Sequence, residues 1–218
     1  MHKKCTNCRL VNYADAVVCS RCEGELVEST TISRGKRSLF SALAIRALIC
    51  ACACLTTLLA FYFSLVFTAD PLSIDQKHQV RQAIRLLREK GFTKEALLLD
   101  KFTVYRVNDN WLNASVEKEN AFAATNFPFE IMTLYPEFFS FPADDVERAA
   151  ILLHESKHLQ GADEDVAYEF VWRNRAVLGW TREKYRRSPV WDNVRHQTRE
   201  TVPALFNCPD VEAGDCTE

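Results

Sequence analysis

The residue types best able to do chemistry stand in His154-Glu155-Ser156-Lys157-His158, where two imidazoles are spaced four apart with a carboxylate between them. On an α-helix, side chains four apart are turned only about 40° from each other, so His154 and His158 share a face and can bind one metal ion. Glu155 stands beside that face, placed to take a proton from water without itself being a ligand. Metal-assisted hydrolysis is the reaction such an order serves. A second chemistry is offered by Cys5-x2-Cys8 and Cys19-x2-Cys22. Two such knuckles supply the four thiolates of a tetrahedral zinc site, which has no open position and is therefore structural.

The elements that must position these groups can be read around them. Asp144-Asp145-Val146-Glu147 predicts a helix start, with Asp144 as N-cap, Glu147 at the third helical position and Pro142 just ahead. Val146, Ala149, Ala150 and Leu153 form its expected buried stripe, leaving Ile151, His154, Glu155 and His158 on an adjoining face. Strands are expected over residues 102–107, 121–126 and 129–135, the last two joined as a hairpin by a turn near Phe127-Pro128. Upstream, Ser73-Ile74-Asp75-Gln76 reads as a capping box, followed by Val80, Ala83, Ile84 and Leu87 at helical spacing up to Gly91. Arg81, Arg85 and Arg88 fall on that helix and fit a solvated or headgroup-facing side. Downstream of Gly161, Asp163-Glu164-Asp165 opens a second helix with Val166, Phe170, Val171, Val177 and Leu178 as its buried side and Gly179 as its stop. The polar tail needs closing by a Cys208–Cys216 disulfide, which removes about 2–3 kcal/mol of unfolded-chain entropy in the loop-closure picture. Asn113-Ala114-Ser115 fits the glycosylation acceptor pattern.

The whole chain, 218 residues with 48% hydrophobic and 26% charged, has the composition of a folded protein, and its net charge of −2 is uninformative as a total. The distribution of charge says more. Residues 1–46 carry eight Lys/Arg against four Asp/Glu, a net +4, so the remainder carries −6. Residues 1–30 are too few to bury a core without help, which zinc would provide. Residues 31–46 read as a basic linker with Arg34, Lys36, Arg37 and Arg46. Ala47–Ala69 then runs 23 residues without a charge, and as a helix it would reach about 34 Å, enough to cross a hydrocarbon core. Basic residues before it and Asp70 after it predict a single crossing with the N-terminus in the cytoplasm and residues 70–218 outside. The cysteines agree, since a thiolate zinc site suits a reducing cytosol and a disulfide suits the far side. Cys50, Cys52 and Cys54 are expected to serve as small apolar residues within the membrane, with acylation near the cytoplasmic face as the alternative.

The cysteine module resembles small zinc ribbons and, with Asn12 between the knuckles, the Ran-binding-protein type of zinc finger, over some twenty residues; Lys3 and Lys4 stand where that finger family carries a Trp. Residues 102–180 resemble a minimal zincin metallopeptidase domain, in which strands precede the active-site helix, so the expected fold class is α+β. The resemblance implies that His154 and His158 bind a catalytic zinc, that Glu155 is the general base, and that a third ligand comes from further along. A continuous helix would carry Asp165 to the His158 face but about 10.5 Å along the axis, so the chain must turn, and Gly161 is the place. The metzincin pattern H-E-x-x-H-x-x-G-x-x-H puts its third ligand on Glu164, and so does the gluzincin-like use of a Glu from the next helix, with Asp165 and Glu169 as substitutes. The chain departs from the metzincins in having Glu there and no Met downstream, as Met1 and Met132 both precede the site. Tyr168 is the first candidate to meet a developing oxyanion and His196 the second. The function expected is a membrane-anchored zinc peptidase acting on a peptide or protein substrate, with one catalytic and one structural zinc and a ribbon open to a cytoplasmic protein. The modest +4 is poor support for a nucleic-acid partner. A non-catalytic membrane sensor or scaffold built from the same parts is the alternative.

Overall fold

A computed structural model describes residues 2–28, 39–112, 114, 122–209 and 214–217. Half of the expected basic linker, residues 31–38, and the sequon residues Asn113 and Ser115 lie outside these. The chain forms two compact units, residues 1–55 and 56–218.

The first unit begins with three short strands, β1 (Lys3–Cys5), β2 (Val11–Asn12) and β3 (Leu26–Glu28), in an antiparallel sheet of order β2-β1-β3. Helix α1 follows over Leu39–Phe67 and runs across the boundary, with Thr56–Phe67 belonging to the second unit; its apolar stretch Phe40–Phe67, with mean hydropathy 2.2, is long and apolar enough to cross a membrane. It starts eight residues before the uncharged run, because Arg46 interrupts the hydropathy but not the helix. The part of the predicted linker from Leu39 to Arg46 is therefore helical.

The second unit is a mixed α+β domain. It contains α2 (Ile74–Glu89), α3 (Thr93–Lys101), β4 (Val104–Arg106), β5 (Ala123–Asn126), β6 (Ile131–Leu134) and α4 (Pro136–Ser140). Then come α5 (Asp145–His158), α6 (Glu164–Leu178), α7 (Arg182–Tyr185), α8 (Pro189–Thr201) and a 3-10 turn at Pro203–Phe206. The sheet order is β4-β6-β5, with β4 parallel and β5 antiparallel to β6, so the expected hairpin is present with strands shorter than predicted. There is little slack between α1 and this sheet. Pro71 bridges to Arg106, the Arg106 guanidinium donates to the Val66 carbonyl at 3.0 Å, and the Asp70 N–H donates to Asn108.

Helix α5 lies at the centre. Its N-cap is Asp144, whose carboxylate accepts from the N–H groups of Val146 and Glu147 at 3.0 and 3.4 Å. Glu147 is no capping-box partner: it is fully buried and accepts from Ala143 N–H, Trp180 Nε1 and Ser188 Oγ, tying α5 to the later helices. The apolar stripe is also wider than predicted. Ile151, Leu152 and Ser156 are buried along with Ala149, Ala150 and Leu153, while Val146 is only half-buried. A helix covered on most sides is rigid, which suits one that carries functional groups.

The capping box at Ser73 forms as expected, with reciprocal bonds to Gln76. Helix α6 buries Ala167, Val171, Trp172, Arg175 and Leu178 rather than Val166 and Val177, which are about half exposed. It ends at Gly179, whose φ of +81° is the left-handed cap that glycine adopts without strain. The charged and aromatic stretch after Gly179 packs through its rings, and the expected disulfide closes its end. Trp180, Trp191 and Phe206 gather round Trp172 with ring centroids 5.2–6.2 Å away. Cys208 is bonded to Cys216, and next to it the buried Asp215 accepts from Trp172 Nε1 at 3.0 Å and from Arg175 at 2.9 Å.

Candidate metal centres

In the first unit the two Cys knuckles have the same local wiring. The N–H of Arg9 returns to the Cys5 carbonyl and that of Glu23 to the Cys19 carbonyl, at 3.1 and 2.9 Å. Both donors sit at positive φ, +61° and +56°, directly after the second Cys of their knuckle. That tight return turns each pair of thiols toward one point. The four Sγ atoms lie within 4.8 Å of one another, and the Cys5–Cys22 and Cys8–Cys19 separations are both 3.5 Å. Four sulfurs at about 2.3 Å from a zinc ion would be about 3.8 Å apart, so the cluster fits a closed tetrahedral site.

Asn12 explains its own place between the knuckles. Its buried amide donates to the Leu10 carbonyl and toward Cys19 Sγ, while its oxygen accepts from the backbone and hydroxyl of Ser20. The Arg21 N–H beside Cys19 holds that thiol down at about 6. Cys8 is pushed up to about 12 against the pull of the Leu10 N–H, through the Cys22 sulfur beside it and burial. Four thiols this close cannot all ionise without a cation among them. Cys5→Ser is accordingly expected to remove one zinc per chain and melt the β1–β3 sheet. Metal analysis and protease susceptibility of the full chain check this; an ordered, protease-resistant sheet in the variant would refute it.

In the second unit α5 and α6 meet at a turn. Gly161, at φ +78°, lets the chain reverse after His158, and the N–H of Ala162 bonds back to the Lys157 carbonyl. This brings Glu164 over the last turn of α5. His154 Nε2 and His158 Nε2 are 3.0 Å apart, and the Glu164 carboxylate oxygens lie 3.3 Å from the first and 3.5 Å from the second. Nitrogen and oxygen ligands at about 2.1 Å from a tetrahedral zinc would be about 3.4 Å apart, so these three donors also fit one metal ion.

The surroundings hold that arrangement. His158 Nδ1 sits 2.9 Å from the Ala162 carbonyl, which fixes Nδ1 as the protonated nitrogen and leaves Nε2 for a ligand. His154 Nδ1 is buried with no partner among the described residues, so its ring is held instead by the Tyr168 ring, 4.3 Å away. His154 and His158 hold the Glu164 carboxyl well below the usual carboxylate range. Burial pushes His158 down, yet Glu164 beside it wins and raises it to about 9. The three groups thus favour a positive charge between them.

The other expected candidates fall out as follows. Glu155 is buried on the flank of the cluster and accepts from the Thr125 hydroxyl at 2.7 Å. Tyr168 lines the same cleft, about 170 Å³, and burial raises its hydroxyl well above the usual range, which keeps it a donor. Asp165 accepts from the N–H of Val166 and Glu169 pairs with Arg173, so neither joins the cluster. His196 is well exposed and pairs with Glu200 rather than lining the cleft. The two free positions of the motif are structural: Ser156 bonds the Leu153 carbonyl, and Lys157 pairs with Glu95 at 2.8 Å beneath the Phe170 ring. Despite burial, that ammonium keeps the Glu95 carboxyl below its usual range.

Sequence reasoning missed Thr125 and the α8 residues Asn193, Val194 and Gln197, which close one side of the cleft. Ser188-Pro189 was the available signal for α8, a Ser N-cap followed by Pro at the first helical position. No protein-family model, no curated protein and no solved structure matches this chain.

Proposed function

We propose that residues 70–218 form a zinc-dependent peptidase, anchored by α1 and joined through it to a structural zinc ribbon. The observation that carries this reading is the convergence of His154, His158 and Glu164 within bonding range of a single ion, with the unligated Glu155 carboxylate beside them. A donor set of two neutral imidazoles and one carboxylate is that of hydrolytic zinc, leaving a position open. When bound there, zinc supplies the Lewis acidity that acidifies water and polarises a carbonyl.

The chain's own groups do the rest. Glu155 takes the proton from the attacking water and returns it to the leaving amine. The Thr125 hydroxyl occupies one oxygen of that carboxylate and fixes its orientation, leaving the other free for the proton. Tyr168, kept protonated by burial, donates to the oxygen on which negative charge develops. Lys157, Glu95 and Phe170 hold α5 against α3 and α6, so the donors need not rearrange when substrate arrives. Arg34, Lys36, Arg37 and Arg46, just ahead of the uncharged run, favour the cytoplasmic side for the ribbon, leaving the peptidase domain and its Cys208–Cys216 disulfide outside.

The experiment is a peptide-library digest by the detergent-solubilised full chain. Cleavage should vanish on stripping metal with a chelator and return on adding zinc. A chain that carries two zinc ions and cleaves nothing would instead favour the sensor or scaffold alternative.

A further inference from the structure

The end of α1 is not a bare helix. Phe61 touches two aromatic rings of the domain, Trp111 at 5.5 Å edge-on and Phe129 at 5.2 Å. Trp111 Nε1 donates to Ser64 Oγ at 3.1 Å, and that hydroxyl in turn donates to the Phe61 carbonyl. Beside them, Trp111 is 48% and Phe127 58% exposed.

The position of these contacts along α1 matters. Arg46 is the one charge between Leu39 and Phe67, and it belongs at a hydrocarbon boundary, where its side chain can reach headgroups. A core of about 30 Å at 1.5 Å per residue takes about 20 residues, which from Arg46 ends near Val66. Phe61 then lies about 7.5 Å inside the far edge and Ser64 about 3 Å inside it. Domain residues touching them must share that depth. Trp is the residue that membranes collect there, with its ring among acyl chains and its N–H satisfied.

We infer that Trp111, Phe127 and Phe129 form an aromatic foot by which the outer domain rests in the headgroup–acyl boundary of the membrane that α1 crosses. This rests on the reading of α1 as a membrane helix. The foot is one piece with the candidate site. The hairpin β5–β6 carries Phe127 and Phe129 in its turn, seats Thr125 on Glu155, and packs the Phe127 ring within 3.6 Å of where a side chain at Gly161 would begin. The bilayer is thus held next to the turn from which both His158 and Glu164 project.

The four tryptophans make this testable, because Trp172, Trp180 and Trp191 are all buried in the core and Trp111 is not. The full chain is reconstituted into phosphatidylcholine vesicles, either plain or with acyl chains brominated just below the headgroup. Bromine should quench the share of emission that belongs to Trp111, and W111F should show no difference between the two vesicles. Equal emission of the unaltered chain in both vesicles, while it floats with them, would overturn the foot and leave the membrane helix standing. Quenching that persists in W111F would overturn it as well, since another Trp would then be at the lipid. A chain that fails to float with vesicles would sink the membrane reading itself, and the foot with it.

Discussion

If the proposed peptidase reading holds, Glu155→Gln is expected to leave zinc bound to residues 70–218 and to lower turnover by at least about 100-fold, the scale of a lost general base. The amide is the same size as the carboxylate and can still accept from the Thr125 hydroxyl, so the 2.7 Å contact and the packing of α5 are kept. What disappears is the proton acceptor. Because His154, His158 and Glu164 are untouched, metal content should match the unaltered chain, and KM should move much less than kcat. Steady-state kinetics on a cleaved library peptide, with metal analysis of the same sample, check both halves. Full activity would remove Glu155 from the mechanism; loss of zinc would make it a ligand.

Glu164→Ala should fail in the opposite way. Two imidazoles alone leave zinc with an incomplete set, so affinity should fall by at least about 100-fold and activity should go with it, recovering only in excess zinc. The change should be nearly silent on folding, since the Glu164 side chain is 62% exposed and caps no helix. That combination is diagnostic. A carboxylate that merely complements the start of α6 would give a small loss of stability and no loss of metal. Zinc titration against a competing chelator distinguishes the outcomes.

The clustered donors were legible because their geometry is local. His154 and His158 are fixed by helical spacing, and the turn at Gly161 is fixed by the one residue type that takes φ +78° freely, whereas Glu164 is named by the third-ligand position of the zincin patterns that the chain resembles. The hairpin and the caps at Ser73 and Asp144 were legible for the same reason. Thr125 was not. Its meeting with Glu155 depends on how β5 lies across α5, thirty residues away in sequence, and no periodicity encodes that register. Glu147 misled because the third position of a helix is a cap position by default; only burial against Trp180 and Ser188 makes it a core acceptor. In the last forty residues the disulfide was legible but α8 was not. Its apolar positions Val190, Trp191 and Val194 follow helical spacing, but the surrounding charges mask them, and their partner is the Trp172 cluster on another helix.

The short connection between α1 and the sheet has a geometric consequence. Only Thr68, Ala69 and Asp70 separate the end of the helix from the Pro71–Arg106 bridge, and Arg106 bonds straight back to Val66. A peptidase on a long tether sweeps a volume and cuts wherever a chain presents itself. If residues 70–218 are the peptidase proposed above and α1 crosses a bilayer, the clamped domain works instead as a ruler: it meets substrates only by lateral drift, and the bond it can reach lies at a set height above the bilayer, whatever the sequence there.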